Sequence, residues 1–131
     1  GIDDGLTKNQ ENIIGSVHYL APEVIKGNPY SVRSDVYAAG ITFFQLITGR
    51  LPFEERNTTS VANAQVNKAM PRASKIITSI PKEIDEIIFK ATAKNPGNRF
   101  LTANEFKTSL ENFQKGISNK ESLLSKLFKK M

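Results

Sequence analysis

An acidic residue opening an apolar helix, a glutamate just after a proline, a distant arginine and a single histidine are the side chains here whose types and placement could do chemistry. Asp35 stands directly before Val36–Ile47, a run in which only Thr42 and Gln45 are polar. A carboxylate is tolerable there when backbone N–H groups point at it, so Asp35 either accepts amides from another segment or merely caps its own helix. Glu23 and Arg99 offer a carboxylate and a planar guanidinium, which can join distant parts of a chain through two parallel hydrogen bonds. Taken singly, each is an ordinary surface charge. His18 is the only histidine and has no nucleophile beside it, which makes it a solvated loop residue rather than a catalytic base.

The elements that must position these residues are helical. Residues 1–14 are polar, with no sustained period, and read as a loop. Pro22 suits the first turn of a short helix that stops near Gly27. Val36–Ile47 predicts a helix through a core, capped by Ser34 or Asp35 and ended by Gly49, with Pro52 beyond it. Thr59 to Ala69 predicts a surface helix with Val61, Ala62 and Val66 as its narrow apolar stripe. Pro81 opens a third helix through Ile84, Ile87, Ile88 and Ala91, closed by Asn95-Pro96. Thr102 and Glu105 form a capping box for a fourth, which should bury Phe106, Leu110 and Phe113 and end near Gln114, before Gly116.

Composition removes whole classes of function. There are no cysteines, hence no disulfide, thiolate zinc site or cysteine nucleophile, which fits a reducing compartment. No apolar run is long enough to span a bilayer, and the acidic start Gly1–Gly5 is no signal peptide. The first residue is not Met, and a piece of a longer chain is expected. Residues 115–131 hold five lysines against one glutamate and so supply +4 of the net +5. The remaining body is almost neutral, which argues against nucleic-acid binding. In the tail, Leu123, Leu124, Leu127, Phe128 and Met131 fall on one helical face, with Lys126, Lys129 and Lys130 around them.

Three segments acquire meaning from their order and spacing. Gly15-Ser-Val-His-Tyr-Leu-Ala-Pro-Glu23, then Ser34-Asp35-Val-Tyr-Ala-Ala-Gly40, then Asn95-Pro-Gly-Asn-Arg99-Phe100 resemble the eukaryotic-like Ser/Thr protein kinases, whose signatures include Ala-Pro-Glu. Thr48-Gly-Arg-Leu-Pro-Phe53 and Lys90-Ala-Thr-Ala-Lys-Asn-Pro96 are similar to the bacterial transmembrane kinases that carry PASTA repeats. The resemblance covers residues 1–114. It implies a mainly α, protein kinase-like fold: part of the C-terminal (large) lobe, a helix bundle around a buried central helix. Residues 1–23 would be the activation segment, 24–114 the helical lobe, and 115–131 a basic amphipathic tail or juxtamembrane linker.

The resemblance also assigns roles. Glu23 and Arg99 would be the ion pair that ties the activation segment to the back of the lobe. Asp35 would accept backbone hydrogen bonds from a catalytic loop outside this chain. Ser16 takes the place of the hydroxyl that bridges the catalytic Asp and Lys, and with Val17, His18, Tyr19 and Leu20 it would line the substrate groove, Tyr19 packing beneath. Thr7 would be the phosphorylated residue of the activation loop 2–14, or an exposed threonine with no role.

Phosphoryl transfer needs a glycine-rich loop, a nucleotide-binding lysine, a catalytic Asp, and an Asn and Asp on magnesium. No two glycines lie two apart, no Gly-Lys pair occurs, and His18 does not precede Arg-Asp. The expectation is a Ser/Thr kinase that uses ATP and Mg2+ as a whole but keeps no catalytic, cofactor or metal residue in this chain. Its partners would be protein substrates, the missing N-lobe and catalytic loop, and a second copy through the 59–69 helix. Its place would be the cytoplasm, or the cytoplasmic part of a membrane-anchored kinase. Two alternatives stay open: a non-catalytic lobe remnant that docks a partner, and a tail that lies on an anionic membrane surface rather than serving as a solvated linker.

Overall fold

Helix α1 (Pro22–Ile25) follows a single 3-10 turn at Val17–Tyr19, and α2 (Val32–Thr48) follows α1. Then come α3 (Thr58–Asn67), α4 (Ala73–Ile76), α5 (Lys82–Ala91), a second 3-10 turn at Pro96–Asn98, and α6 (Ala103–Lys129). The computed structural model describes residues 17–129, apart from the side chains of 119–124 and 128–129. Thr7, Ser16 and the expected activation loop lie outside the described residues, as do most of the tail's apolar side chains. Among the described residues every element is helical, and α2 is the hub.

The hub forms because its apolar residues face three neighbours at once. Val36 packs with Ala91, Phe100 and Phe106, Tyr37 and Ile41 pack with Ala21, and Phe44 packs with Ala73 and Ile88. Phe106 stacks on Phe100 at 5.7 Å between centroids and meets Phe43 edge-on at 5.9 Å. Gly49, at φ 75°, ends α2 in the left-handed region, where glycine alone carries no Cβ penalty. One face of α2 stays open: Asp35 and Thr42 are exposed and Leu46 is 76% exposed.

The start of α2 differs from the sequence expectation. Ser31, not Ser34 or Asp35, is its N-cap: Ser31 Oγ accepts from the Arg33 N–H at 3.2 Å, and the Ser31 N–H donates to Ser34 Oγ at 3.1 Å. This reciprocal pair starts the helix three residues earlier and leaves Asp35 in the first turn, where the helix dipole favours a negative charge.

Helix α3 begins one residue early, behind an Asn57 cap, and stops at Asn67. The short α4 has no periodic signal in the sequence. It is fastened by Asp85, 1% exposed, whose carboxylate accepts from the Ser74 N–H at 3.0 Å and from the Ser74 hydroxyl. The largest difference is α6, which passes through Gly116 without a break instead of ending near Gln114. Among the described residues only Gly27 and Gly49 take positive φ, so Gly116 is an ordinary helical residue. Its helix cost of about 1 kcal/mol is too small to stop a long helix with good helix formers around it. Phe106 is buried as expected, whereas Leu110 and Phe113 are half-buried.

Candidate functional site

Arg99 organises the site. It is 3% exposed and follows the Pro96–Asn98 turn, where Asn95 Oδ1 accepts the Gly97 N–H at 2.9 Å. All five guanidinium N–H donors have acceptors. Nη1 and Nη2 reach Glu23 Oε2 and Oε1, each at 2.7 Å, in the forked geometry that makes such pairs strong. The other three donate to the carbonyls of Ala93 at 2.7 Å, Arg33 at 2.9 Å and Lys94 at 3.3 Å. Arg33 returns the arrangement, its Nη1 donating to the carbonyls of Pro96 and Arg99, both at 3.0 Å. Glu23 also accepts from Ser34 Oγ at 3.0 Å. Burial pushes the Glu23 carboxyl up, but the hydrogen bonds from Arg99, the backbone and Ser34 outweigh it and hold it below its ordinary value.

A second brace holds the turn at Val17–Tyr19. Gln65 projects from α3 and is fully buried. Its Nε2 donates to the carbonyls of Val17 at 3.2 Å and His18 at 2.7 Å, and its Oε1 accepts the Tyr37 hydroxyl. Tyr19 donates its hydroxyl to Gln45 Oε1 on α2 at 2.6 Å. Val17 is buried, while Tyr19 and Leu20 are half-buried, and so is His18, expected as a solvated loop residue but drawn in with the turn so that its Nδ1 is enclosed without a hydrogen-bond partner. Of the residues picked from sequence, the structure therefore gathers Val17–Leu20, Glu23 and Arg99 on one side of α2. Asp35 sits apart, exposed, accepting the Tyr30 hydroxyl.

Lys94 links the two braces. Its ammonium donates to the Gln65 backbone carbonyl at 2.8 Å and faces the rings of Phe53 at 4.9 Å and Tyr37 at 5.9 Å. Burial, with the nearby Arg99 charge second, lowers it to about 8, and the ring faces return only part of the lost hydration. An unfolded chain keeps that proton to about pH 10.5, so between pH 8 and 10.5 the unfolded state binds more protons and stability rises with pH. With allowance for solvent screening, the wild type should gain about 1 kcal/mol between pH 7.5 and 9.5. Lys94→Met should lose that increment, and urea titrations at the two pH values measure it. An equal pH dependence in both proteins would contradict the assignment.

Sequence reasoning gave no role to Gln65, Lys94 or Arg33 and took Ser34 only for a helix cap, not for a partner of Glu23. For Gln65 a signal existed: it lies four residues after Val61, on the inward face of its helix, where a polar residue must find buried partners. The other three bond to backbone carbonyls or to a carboxylate far along the chain, and no local pattern marks them.

These carboxylates do not form a site for a cation. Glu23 is committed to Arg99, Asp85 to Ser74 and Asp35 to Tyr30. Among the described residues no three acidic or histidine side chains converge.

Comparison with known proteins adds the relationship. A family model described as the protein kinase domain matches residues 3–110. Serine/threonine-protein kinase PrkC of Bacillus subtilis is 39% identical over 100 residues, which cover 76% of this chain and 15% of that protein. A probable serine/threonine-protein kinase PknB of Bifidobacterium longum is 35% identical over 115 residues, 87% of this chain and 17% of the relative. Serine/threonine-protein kinase PknL of Mycobacterium tuberculosis is 36% identical over 99 residues, 76% of this chain and 25% of the relative. The chain thus spans a quarter or less of the length of these three relatives.

Proposed function

The chain belongs to the protein kinase domain family, and from that premise we propose that it is the substrate-side part of the large lobe of a bacterial serine/threonine protein kinase. The observation that carries this reading is the forked Glu23–Arg99 pair, which joins Ala21-Pro22-Glu23 to the turn at Asn95–Arg99 across 76 positions of sequence. Such a clasp fixes the far end of a segment whose near end, at Val17–Leu20, lines the groove beside the accepting hydroxyl. By the resemblance Ser16 would supply the hydroxyl that bridges the catalytic Asp and Lys, and Thr7 is the candidate phosphorylation site, both outside the described residues. Asp35, exposed on the open face of α2, would receive backbone amides of a catalytic loop outside this chain, and here its carboxylate accepts the Tyr30 hydroxyl.

The family uses ATP and Mg2+. The described residues of this chain do not fit them, because Glu23, Asp35 and Asp85 are already hydrogen-bonded, no three acidic or histidine side chains among the described residues converge, and the sequence holds no phosphate-cradling glycine loop. The full-length protein is therefore expected to transfer the γ-phosphate of magnesium-ATP to Ser or Thr of a protein substrate, while the 131 residues alone bind no nucleotide. Radiolabelled phosphate transfer by the full-length protein, beside equilibrium dialysis of the isolated chain with magnesium-ATP, tests both halves. Saturable nucleotide binding by the isolated chain would overturn this division of labour.

The surface of α3 favours a second reading, a lobe that docks a protein without catalysis. Ser60, Asn63, Asn67 and Lys68 line a polar concavity of about 380 Å³ there, open to a partner or a second copy. Under either reading the body works in the cytoplasm, and the exposed Lys126 and Leu127 at the far end of α6 suit contact with an anionic membrane surface. No described helix is long and apolar enough to cross a membrane.

A further inference from the structure

We infer that Gln65 is a positioning residue for the protein substrate, setting through the Val17–Tyr19 turn which side chain is accepted next to the phosphorylated hydroxyl. The inference rests on the proposed function, in which that turn lines the acceptor groove. It adds a residue 47 positions away that touches no substrate itself.

The geometry singles out Gln65. Its side-chain amide is fully buried and divides its hydrogen bonds between α2 and the Val17–Tyr19 turn. The Tyr37 hydroxyl, from the centre of α2, fixes the amide oxygen and so decides which way the amide faces. The NH2 group then has two hydrogens, and both go to successive carbonyls of the turn, Val17 and His18. Within the turn, the bond from the Leu20 N–H to the Val17 carbonyl is long, at 3.4 Å. The turn is therefore held from outside, its Tyr19 side chain by Gln45 and its backbone carbonyls by Gln65.

Gln65 is itself held in place. Its backbone carbonyl accepts Lys94 Nζ at 2.8 Å, and the backbone carbonyl of Lys94 accepts Arg99 Nη2 at 3.3 Å, so the brace on residues 17–18 and the clasp on Glu23 are joined. The segment between them is pinned at both ends, with its pitch set by the length of one glutamine side chain. A side chain of equal length that cannot donate leaves the fold's apolar packing in place but frees two carbonyls, and the turn shifts to reach water or another donor.

The test uses the full-length protein and a panel of Ser/Thr peptides differing only in the residues that flank the acceptor. Gln65→Met is expected to raise the peptide KM about tenfold and flatten the flanking preference, with the KM for ATP unchanged. Gln65→Glu, which sets a carboxylate against two carbonyls, should be worse. Tyr37→Phe frees the amide to rotate, and it should give the same preference change in a milder form if Gln65→Met folds poorly. Unaltered peptide KM and preference in the folded variants would overturn the inference, as would a fall in kcat and melting temperature alone, which marks a purely structural glutamine. A wild type that phosphorylates no peptide instead refutes the proposed function. Amide exchange across residues 17–21 then still reads the brace, and equal rates in wild type and Gln65→Met would overturn it.

Discussion

Arg99→Met should lower the unfolding free energy of the chain by about 3–5 kcal/mol, the range for removing one partner of a buried ion pair. Methionine fills much of the space but donates nothing. It strands the Glu23 carboxylate, whose side chain is 12% exposed, and the carbonyls of Ala93, Arg33 and Lys94 in a site with little water. Arg99→Lys restores the charge but not the fork, because a point charge on a flexible stem cannot serve two carboxylate oxygens and three carbonyls together. It is expected to recover less than half of the loss. The same clasp predicts an acid limit. Glu23 has a lowered carboxyl in the folded chain, so the stability it contributes is fully present above the ordinary value of 4.5 and is lost as pH falls through the folded value. Urea unfolding at pH 7 and pH 4 measures both effects, and a loss under about 1 kcal/mol for Arg99→Met at pH 7 would contradict the burial argument.

The helices and the ends of the clasp were legible in the sequence for local reasons. Val36–Ile47 announces a central helix because so few of its residues are polar, and Thr102 with Glu105 announces the start of α6, although only half of the expected capping box forms: the Glu105 N–H donates to Thr102 Oγ1 at 3.1 Å, whereas the Glu105 carboxylate accepts the N–H of Leu101, at 3.1 Å, instead of that of Thr102. Glu23 and Arg99 were legible only through the order of motifs around them, since neither charge advertises a partner so far along the chain. What stayed hidden depends on tertiary partners. The short α4 exists because Asp85, from the next helix, caps it through Ser74. Ser31 displaced the expected caps because Ser34 answered it, a reciprocity that sequence shows only once the register is known. Gly116 misled because a helical glycine and a helix-ending glycine are written with the same letter, and only φ separates them.

Gly40→Ala should destabilise the chain by about 2–3 kcal/mol even though alanine is the better helix former by about 1 kcal/mol. A Cβ at Gly40 would lie 2.6 Å from Thr92 Cγ2, closer than real contacts come, and 3.0 Å from Ala91 Cβ, a tight approach that the neighbour must yield to. Thr92 cannot swing away cheaply, because its hydroxyl donates to the Ile88 carbonyl at 2.7 Å and fixes the rotamer that aims Cγ2 at α2. The new methyl must therefore push α2 and α5 apart. Thr92→Ser keeps that hydroxyl and deletes only Cγ2, so Gly40→Ala with Thr92→Ser should regain about half of the loss, a non-additivity that thermal unfolding of the two single variants and the double variant would show. Strictly additive losses would mean that the helices do not meet at Gly40. The spacing also matters for the site, because the end of α5 carries the chain into Lys94 and Arg99, two residues that must reach Gln65 and Glu23. If the helices separate, Lys94 should lose its aromatic surroundings and regain water, and its titration should move from about 8 back toward 10.5 in the Gly40→Ala protein. A glycine that touches neither the Val17–Tyr19 turn nor the ion pair thereby sets the distance across which both braces must act.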